Sequence, residues 1–178
     1  MPNWCANFVQ ITHPDSERIQ ALAEATRKGR FCEHIIPVPA ELREHSAPEY
    51  DEARAEEFLA KYGYTDWYSF CVARWGTKWD ITDDGSGYTR PNPNTLSVDF
   101  DTAWAPPIQF YEYLESLGFR VEATYFEPGM GFVGSYVDGM DDYYDYSGMD
   151  SEEAEGYIPD YLNEQYGITA MMREFEDE

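Results

Sequence analysis

Over residues 4–12, Cys5, Asn7, Val9 and Ile11 alternate with Trp4, Ala6, Phe8 and Gln10. Both sets contain apolar side chains, which predicts a central strand buried on both faces. His13-Pro14-Asp15-Ser16 then stops the strand and supplies an N-cap, and Ile19, Leu22, Ala23 and Thr26 follow at helical spacing up to Gly29. The proline-broken run from Phe31 to Pro39 predicts an extended edge or connector. Two further helices are expected at about residues 48–62 and 66–75, the second largely apolar through Trp67, Phe70 and Cys71.

Residues 75–107 read as a long β-hairpin. Trp75-Gly76-Thr77-Lys78-Trp79-Asp80-Ile81 forms its outgoing arm and Asp83-Asp84-Gly85-Ser86-Gly87 its turn. The return arm sets Leu96, Val98 and Phe100 opposite Ser97, Asp99 and Asp101. Trp75, Trp79 and Trp104, each able to bury on the order of 200 Å², are expected in the core. Ile108, Tyr111, Leu114 and Leu117 then mark an amphipathic helix closed by Gly118. Phe119, Val121, Ala123 and Tyr125 alternate as a strand, Glu127 to Gly131 is turn chemistry, and Phe132 to Val137 is a further strand.

This order predicts an α+β domain over residues 1–140: a ferredoxin-like, split βαβ antiparallel sheet with helices on one face and a helical insertion at about 40–74. Residues 141–178 read as an acidic, tyrosine-rich C-terminal extension docked on that domain through one short helix bearing Ile158, Tyr161, Leu162 and Tyr166, with Glu174 to Glu178 frayed.

Charge changes the picture. The net value is −23, and it is uneven: residues 1–90 carry 15 acidic and 10 basic side chains, residues 91–178 carry 20 and two. Self-repulsion on this scale works against compaction, and an adaptation to solvent alone would charge both halves. Direct binding of nucleic acid or an anionic membrane has the wrong Coulomb sign for the acidic half. No apolar run approaches the roughly 18 residues of a membrane helix, and the N-terminus lacks the basic and apolar regions of a secretory signal. Cys5, Cys32 and Cys71, odd in number and far apart, read as reduced structural thiols. A cytoplasmic protein is expected.

The candidate chemistry is sparse. Asp80-Ile81-Thr82-Asp83-Asp84-Gly85 has part of a calcium-loop pattern, but position 12 is Pro91 where a glutamate is required. Asp138 to Asp145 offers a second carboxylate group for a hard cation, making a Ca²⁺-stabilised accessory protein one alternative. His13, His34 and His45 lack zinc-ligand spacing, and no phosphate loop or Ser/His/Asp set is present. No catalytic residue, metal or cofactor is assigned. Lys78 and Asp80 on one arm, facing Asp99 and Asp101 on the other, predict either cross-strand ion pairs or a polar pocket walled by Trp75 and Trp104. That pocket is the alternative site for a small ligand or an enzymatic activity.

Several short words are distinctive in order: Met1-Pro2-Asn3-Trp4-Cys5, Trp75-Gly76-Thr77-Lys78-Trp79-Asp80, Phe100-Asp101-Thr102-Ala103-Trp104-Ala105-Pro106-Pro107, and Tyr125-Phe126-Glu127-Pro128-Gly129 with Phe132 and Gly134. Over about residues 1–140 the chain resembles the YubB-like ferredoxin-like domain family, found mainly in bacteriophages, conjugative plasmids and integrated elements. The resemblance implies the ferredoxin-like fold and a mobile-element setting in which counter-defence proteins are common. It implies no catalytic residue.

Joined to that setting, the acidic half predicts a partner-binding surface made by Asp138, Asp141, Asp142, Tyr143, Tyr144, Asp145, Tyr146, Asp150, Glu152, Glu153, Glu155, Asp160 and Glu164. Carboxylates in a basic groove can stand in for phosphates, and the interleaved tyrosines add rigid contact area. The expected partner is a basic or nucleic-acid-binding host protein, such as a CRISPR or restriction effector inhibited by a DNA mimic.

Overall fold

A computed structural model describes residues 3–81 and 87–176. β1 (Trp4–Thr12) lies near the middle of a six-stranded sheet whose other strands are β2 (Gly87–Asn92), β3 (Thr95–Ala103), β4 (Arg120–Glu127), β5 (Phe132–Val137) and β6 (Met140–Asp145). The order across the sheet is β2-β3-β1-β4-β5-β6, and every pairing is antiparallel. The fold is therefore α+β. Among the described residues no helix is long and apolar enough to cross a membrane.

The register explains the main core. Val9 pairs with Val98 on one side and Ala123 on the other, and Ile11 with Leu96 and Val121. One sheet face is thus largely apolar, covered by α1 (Ser16–Thr26) through Ile19 and Leu22 and by α6 (Ile108–Ser116) through Phe110, Tyr111 and Leu114. α2 (Phe31–Ile35), α3 (Ala40–Arg43), α4 (Glu52–Tyr62) and α5 (Trp67–Trp75) extend the same core through Phe31, Leu42, Phe58 and Cys71. Asn7 and Thr102 are buried polar residues on this face. The Asn7 amide donates to the Cys5 carbonyl at 2.8 Å and to Thr102 Oγ1 at 2.9 Å, so its burial is compensated.

The outer face departs from expectation. β1 is central as its pattern indicates, yet Phe8 on its second face is 44% exposed. Helices cover both faces of the sheet rather than one. α7 (Ser151–Tyr157), α8 (Asp160–Tyr166) and α9 (Ile168–Glu176) pack on the β4–β5 part of the outer face through a second, smaller core of Phe126, Val133, Ala154, Ile158, Leu162 and Ile168. Tyr161 Oη, Gln165 Nε2 and Tyr166 Oη fix α8 by hydrogen bonds to Ser135 Oγ and Thr124 Oγ1 at 2.7–3.0 Å. Three helices stand where one was expected. A division after residue 140 would run through β6, which pairs with β5 along its length. Glu174 to Glu176 are helical rather than frayed, and Glu176 accepts the N–H and hydroxyl of Ser151 at 2.7 Å each.

The outgoing arm of the expected hairpin is also different. Trp75 is the last residue of α5, because Trp67, Cys71 and Trp75 continue one helical stripe and Gly76, at φ +85°, closes the helix by donating to the Val72 carbonyl. The strand that pairs with β3 is β2, beginning at Gly87. Its expected turn falls largely outside the described residues, as do Asp83 and Asp84 of the calcium-like loop. Phe31 to Ile35 is helical rather than extended. Of the three tryptophans placed in the core by sequence, only Trp75 is buried; Trp79 is 40% and Trp104 47% exposed.

Candidate functional site

The carboxylates of the C-terminal half divide by what they touch. Asp150 accepts the Glu153 N–H at 2.8 Å and Glu153 returns the bond to Asp150 N–H, a capping box that starts α7. Asp145 accepts the Ser147 N–H at 2.9 Å, Asp141 the Tyr125 hydroxyl at 2.6 Å, and Glu155 pairs with Arg173 at 2.6 Å. Asp138 pairs with Arg120 at 3.3 Å. These groups stay on the surface, but their first task is local structure. Tyr146, expected to face a partner, is 7% exposed and belongs to the second core.

Of the remaining groups, Asp142 and Tyr144 adjoin the α7–α8 junction. β6 is an edge strand, and its outer face carries Asp142 and Tyr144, opposite Ser135 and Val133. Tyr144 lies 5.8 Å from the ring of Tyr157 at the end of α7, and Tyr161 at the start of α8 reaches Ser135, the cross-strand neighbour of Asp142. The β6 edge and the α7–α8 junction therefore form one exposed surface. It bears Asp142, Asp160 and Tyr144 from the expected set, with Tyr157 and Tyr161 added by the fold. Glu164 lies one helical turn further along α8, and Glu152 is exposed on α7. Tyr143 turns to the other face of β6, 5.1 Å from Phe132. A signal for β6 is present in the sequence: Asp138-Gly139, both at positive φ (51° and 77°), form the two-residue link between Val137 and Met140.

The expected pocket is partly dismantled and partly rebuilt elsewhere. Lys78 and Asp80 do not face Asp99 and Asp101, because residues 76–81 are not paired to β3. Asp99 and Asp101 project from the outer face of β3 opposite Phe8 and Ala6, and Asp99 borders a separate cleft of about 480 Å³ beside Tyr161 and Gln165. Burial raises the Asp101 carboxyl above its ordinary value. Trp104 is not part of either lining.

Trp75, Lys78 and Asp80 instead meet residues of the insertion around a cavity of about 440 Å³. The α5 stripe of Trp67, Cys71 and Trp75 forms one wall, Trp79 the rim, and Arg30, Glu33 and Arg43 the opposite side. Trp75 Nε1 donates to the Ile36 carbonyl at 3.0 Å. Lys78 Nζ lies 4.4 Å from the Trp79 ring centroid and 5.5 Å from that of Tyr68, a cation–π pairing on both sides. Cys71 is buried and unreactive by electrostatics: burial pushes its thiol up to about 12. Cys5 is likewise held at about 12, by burial and then by nearby Glu127. Among the described residues no three His, Cys, Asp or Glu side chains are grouped to hold a metal ion, the Asp138–Asp145 stretch included.

Asp80 organises the cavity floor. It accepts N–H groups from Cys32 at 2.9 Å, Glu33 at 2.7 Å and Ile81 at 2.9 Å, and so ties the α5–β2 connection to the start of α2. Replacing it by alanine is expected to cost about 1–3 kcal/mol, because backbone donors lose their partner. Burial outweighs those bonds and holds its carboxyl above the ordinary value. The folded chain then binds this proton more tightly than the unfolded chain. The Asp80 contribution is complete below the unfolded value near 3.8 and is lost as pH rises through the folded value. Urea denaturation of wild type and Asp80→Asn should show the wild-type advantage shrinking as pH rises through that window. A pH-independent difference would refute the burial argument.

No family model and no curated protein matches the chain. A solved structure is similar in part: the api92 protein from Yersinia pseudotuberculosis, assigned to the family model DUF1281, with a TM-score of 0.42 and 12% identity over 83% of this chain and 99% of that one.

Proposed function

We propose that this chain is an acidic interaction protein of a phage or plasmid, acting in the host cytoplasm, which blocks a nucleic-acid-binding defence complex by presenting carboxylates where that complex receives phosphates. The observation that carries the reading is that Asp142 and Tyr144 on the β6 edge adjoin Tyr157 and Tyr161 at the α7–α8 junction, where exposed Asp160 begins α8, in a half of the chain holding two basic residues. Neighbouring Glu152 and Glu164 enlarge the negative field. A field of one sign steers a cationic surface into contact quickly, and the tyrosines give it amphipathic rings to rest on.

The fold reading is ferredoxin-like. The order β2-β3-β1-β4, with α1 leaving β1 and α6 joining β3 to β4, supports a split βαβ core to which β5, β6 and the C-terminal helices are added. The YubB-like resemblance supports the mobile-element setting. A charged edge strand also resists edge-to-edge aggregation, which explains one or two of the β6 carboxylates. It does not explain Asp160 and Glu164 beside the tyrosines.

Immobilised protein, exposed to a nuclease-treated bacterial lysate at low salt, is expected to retain nucleic-acid-binding proteins that elute at high salt or with duplex DNA. The triple variant Asp142→Asn/Asp160→Asn/Glu164→Gln should weaken retention about tenfold, since charge at such surfaces acts mainly on capture. If low-salt retention contains no nucleic-acid-binding protein, or the triple variant retains as much, the proposal fails.

A further inference from the structure

We propose a second site, independent of the acidic surface: the cavity between α2, α3 and α5 binds a free mononucleotide, its base against the tryptophans and its phosphate against Arg30 and Lys78. The cavity volume of about 440 Å³ falls within the roughly 300–1,000 Å³ of small-ligand sites. Three of the chain's five tryptophans line it. Trp75 is buried, whereas Trp79 is 40% exposed at the rim, with the Lys78 ammonium over its ring and the Trp4 ring 6.2 Å away. The part of an indole left exposed to solvent is a stacking platform for a base.

The charge balance selects the other half of the ligand. Both carboxylates of the lining are engaged. Glu33 pairs with Arg43 and accepts the Val38 N–H at 3.3 Å, and Asp80 accepts three backbone N–H groups. Among the described residues neither Arg30 nor Lys78 has a carboxylate within ion-pair distance, in a chain of net charge −23. Arg30 also borders an adjoining hollow lined by Lys28, His34 and Glu24. A guanidinium and an ammonium that pair with no described carboxylate, beside aromatic walls, match a phosphate attached to a planar ring. A free mononucleotide fits better than a strand, because each added phosphate meets the repulsion of the whole chain.

Titration of the full chain with AMP, GMP, CMP, UMP, adenosine, inorganic phosphate and a single-stranded oligonucleotide tests this, read by tryptophan fluorescence and calorimetry. At least one monophosphate should bind saturably, with adenosine and inorganic phosphate each weaker by about tenfold or more. Arg30→Ala and Lys78→Ala should each weaken that binding about tenfold with melting unchanged, and Trp79→Ala should weaken it without removing the phosphate dependence. The proposal is overturned if no monophosphate binds saturably, if adenosine binds as well as AMP, if the charge variants bind as wild type, or if the oligonucleotide binds more tightly than the monophosphates.

Discussion

Truncation of Leu162 to alanine is expected to cost about 2–5 kcal/mol, with the loss confined at first to the C-terminal helices. Leu162 is fully buried at the centre of the smaller core, where α8 meets Phe126 and Val133 on the outer sheet face. The other apolar contacts that hold α7, α8 and α9 to the sheet, made by Ala154, Ile158, Ile168 and Tyr166, all belong to this smaller core, and Tyr161, Gln165 and Tyr166 add hydrogen bonds to Ser135 and Thr124. The opposite face, covered by α1 to α6, has its own larger core and does not use Leu162. Limited proteolysis of Leu162→Ala should therefore cut within residues 157–168 under conditions where the sheet keeps its circular dichroism, while Leu114→Ala should lower the midpoint of the whole domain. Identical proteolysis of wild type and Leu162→Ala would show that the two cores unfold as one. Because the proposed binding surface lies at the α7–α8 junction, the same variant should lose partner capture before it loses the sheet.

Gly134→Ala is expected to destabilise by about 3 kcal/mol, at the upper end of ordinary overpacking. Gly134 on β5 pairs with Tyr125 on β4 and Tyr143 on β6, and the Tyr125 ring lies across it. A β-carbon there would collide with the ring carbon and hydroxyl of Tyr125 and stand 2.5 Å from the Asp142 carbonyl. The ring cannot simply turn aside, since Tyr125 is fully buried and its hydroxyl donates to Asp141 at 2.6 Å. Nor can the backbone of β6 yield without losing its pairing. Urea denaturation checks the figure, and a Gly134→Ala protein within about 1 kcal/mol of wild type would disprove the close approach. This glycine links the two halves of the fold: the missing side chain lets Tyr125 bridge to Asp141 and holds the acidic edge strand in register.

Much of this architecture was legible in the chain. Alternation at Leu96, Val98 and Phe100 and at Val121, Ala123 and Tyr125 marked β3 and β4, and 3.6-residue spacing marked α1, α5 and α6. These signals are strong where one side of an element meets a single apolar layer. They misled at Trp75 to Ile81, whose aromatic and β-branched residues resemble a strand although Trp75 completes a helical stripe and Asp80 serves as a backbone acceptor for a helix distant in sequence. They were silent at Met140 to Asp145, because an edge strand flanked by solvent needs few apolar residues; only the Asp138-Gly139 turn announced it.

The candidate sites divide in the same way. Composition alone located the excess of carboxylates in residues 91–178, since charge is a property of the chain whatever its path. Which of them cap helices, which pair with Arg120 or Arg173, and which stand beside Tyr144, Tyr157 and Tyr161 was decided by the packing of α7–α9 on the outer face of the sheet. The cavity of Trp67, Trp75, Arg30 and Lys78 joins positions up to 48 residues apart along the chain, brought together by burial of the α5 stripe against α2 and α3. Local periodicity records what each element turns toward the core, and long-range juxtaposition is fixed only when those apolar faces close on one another.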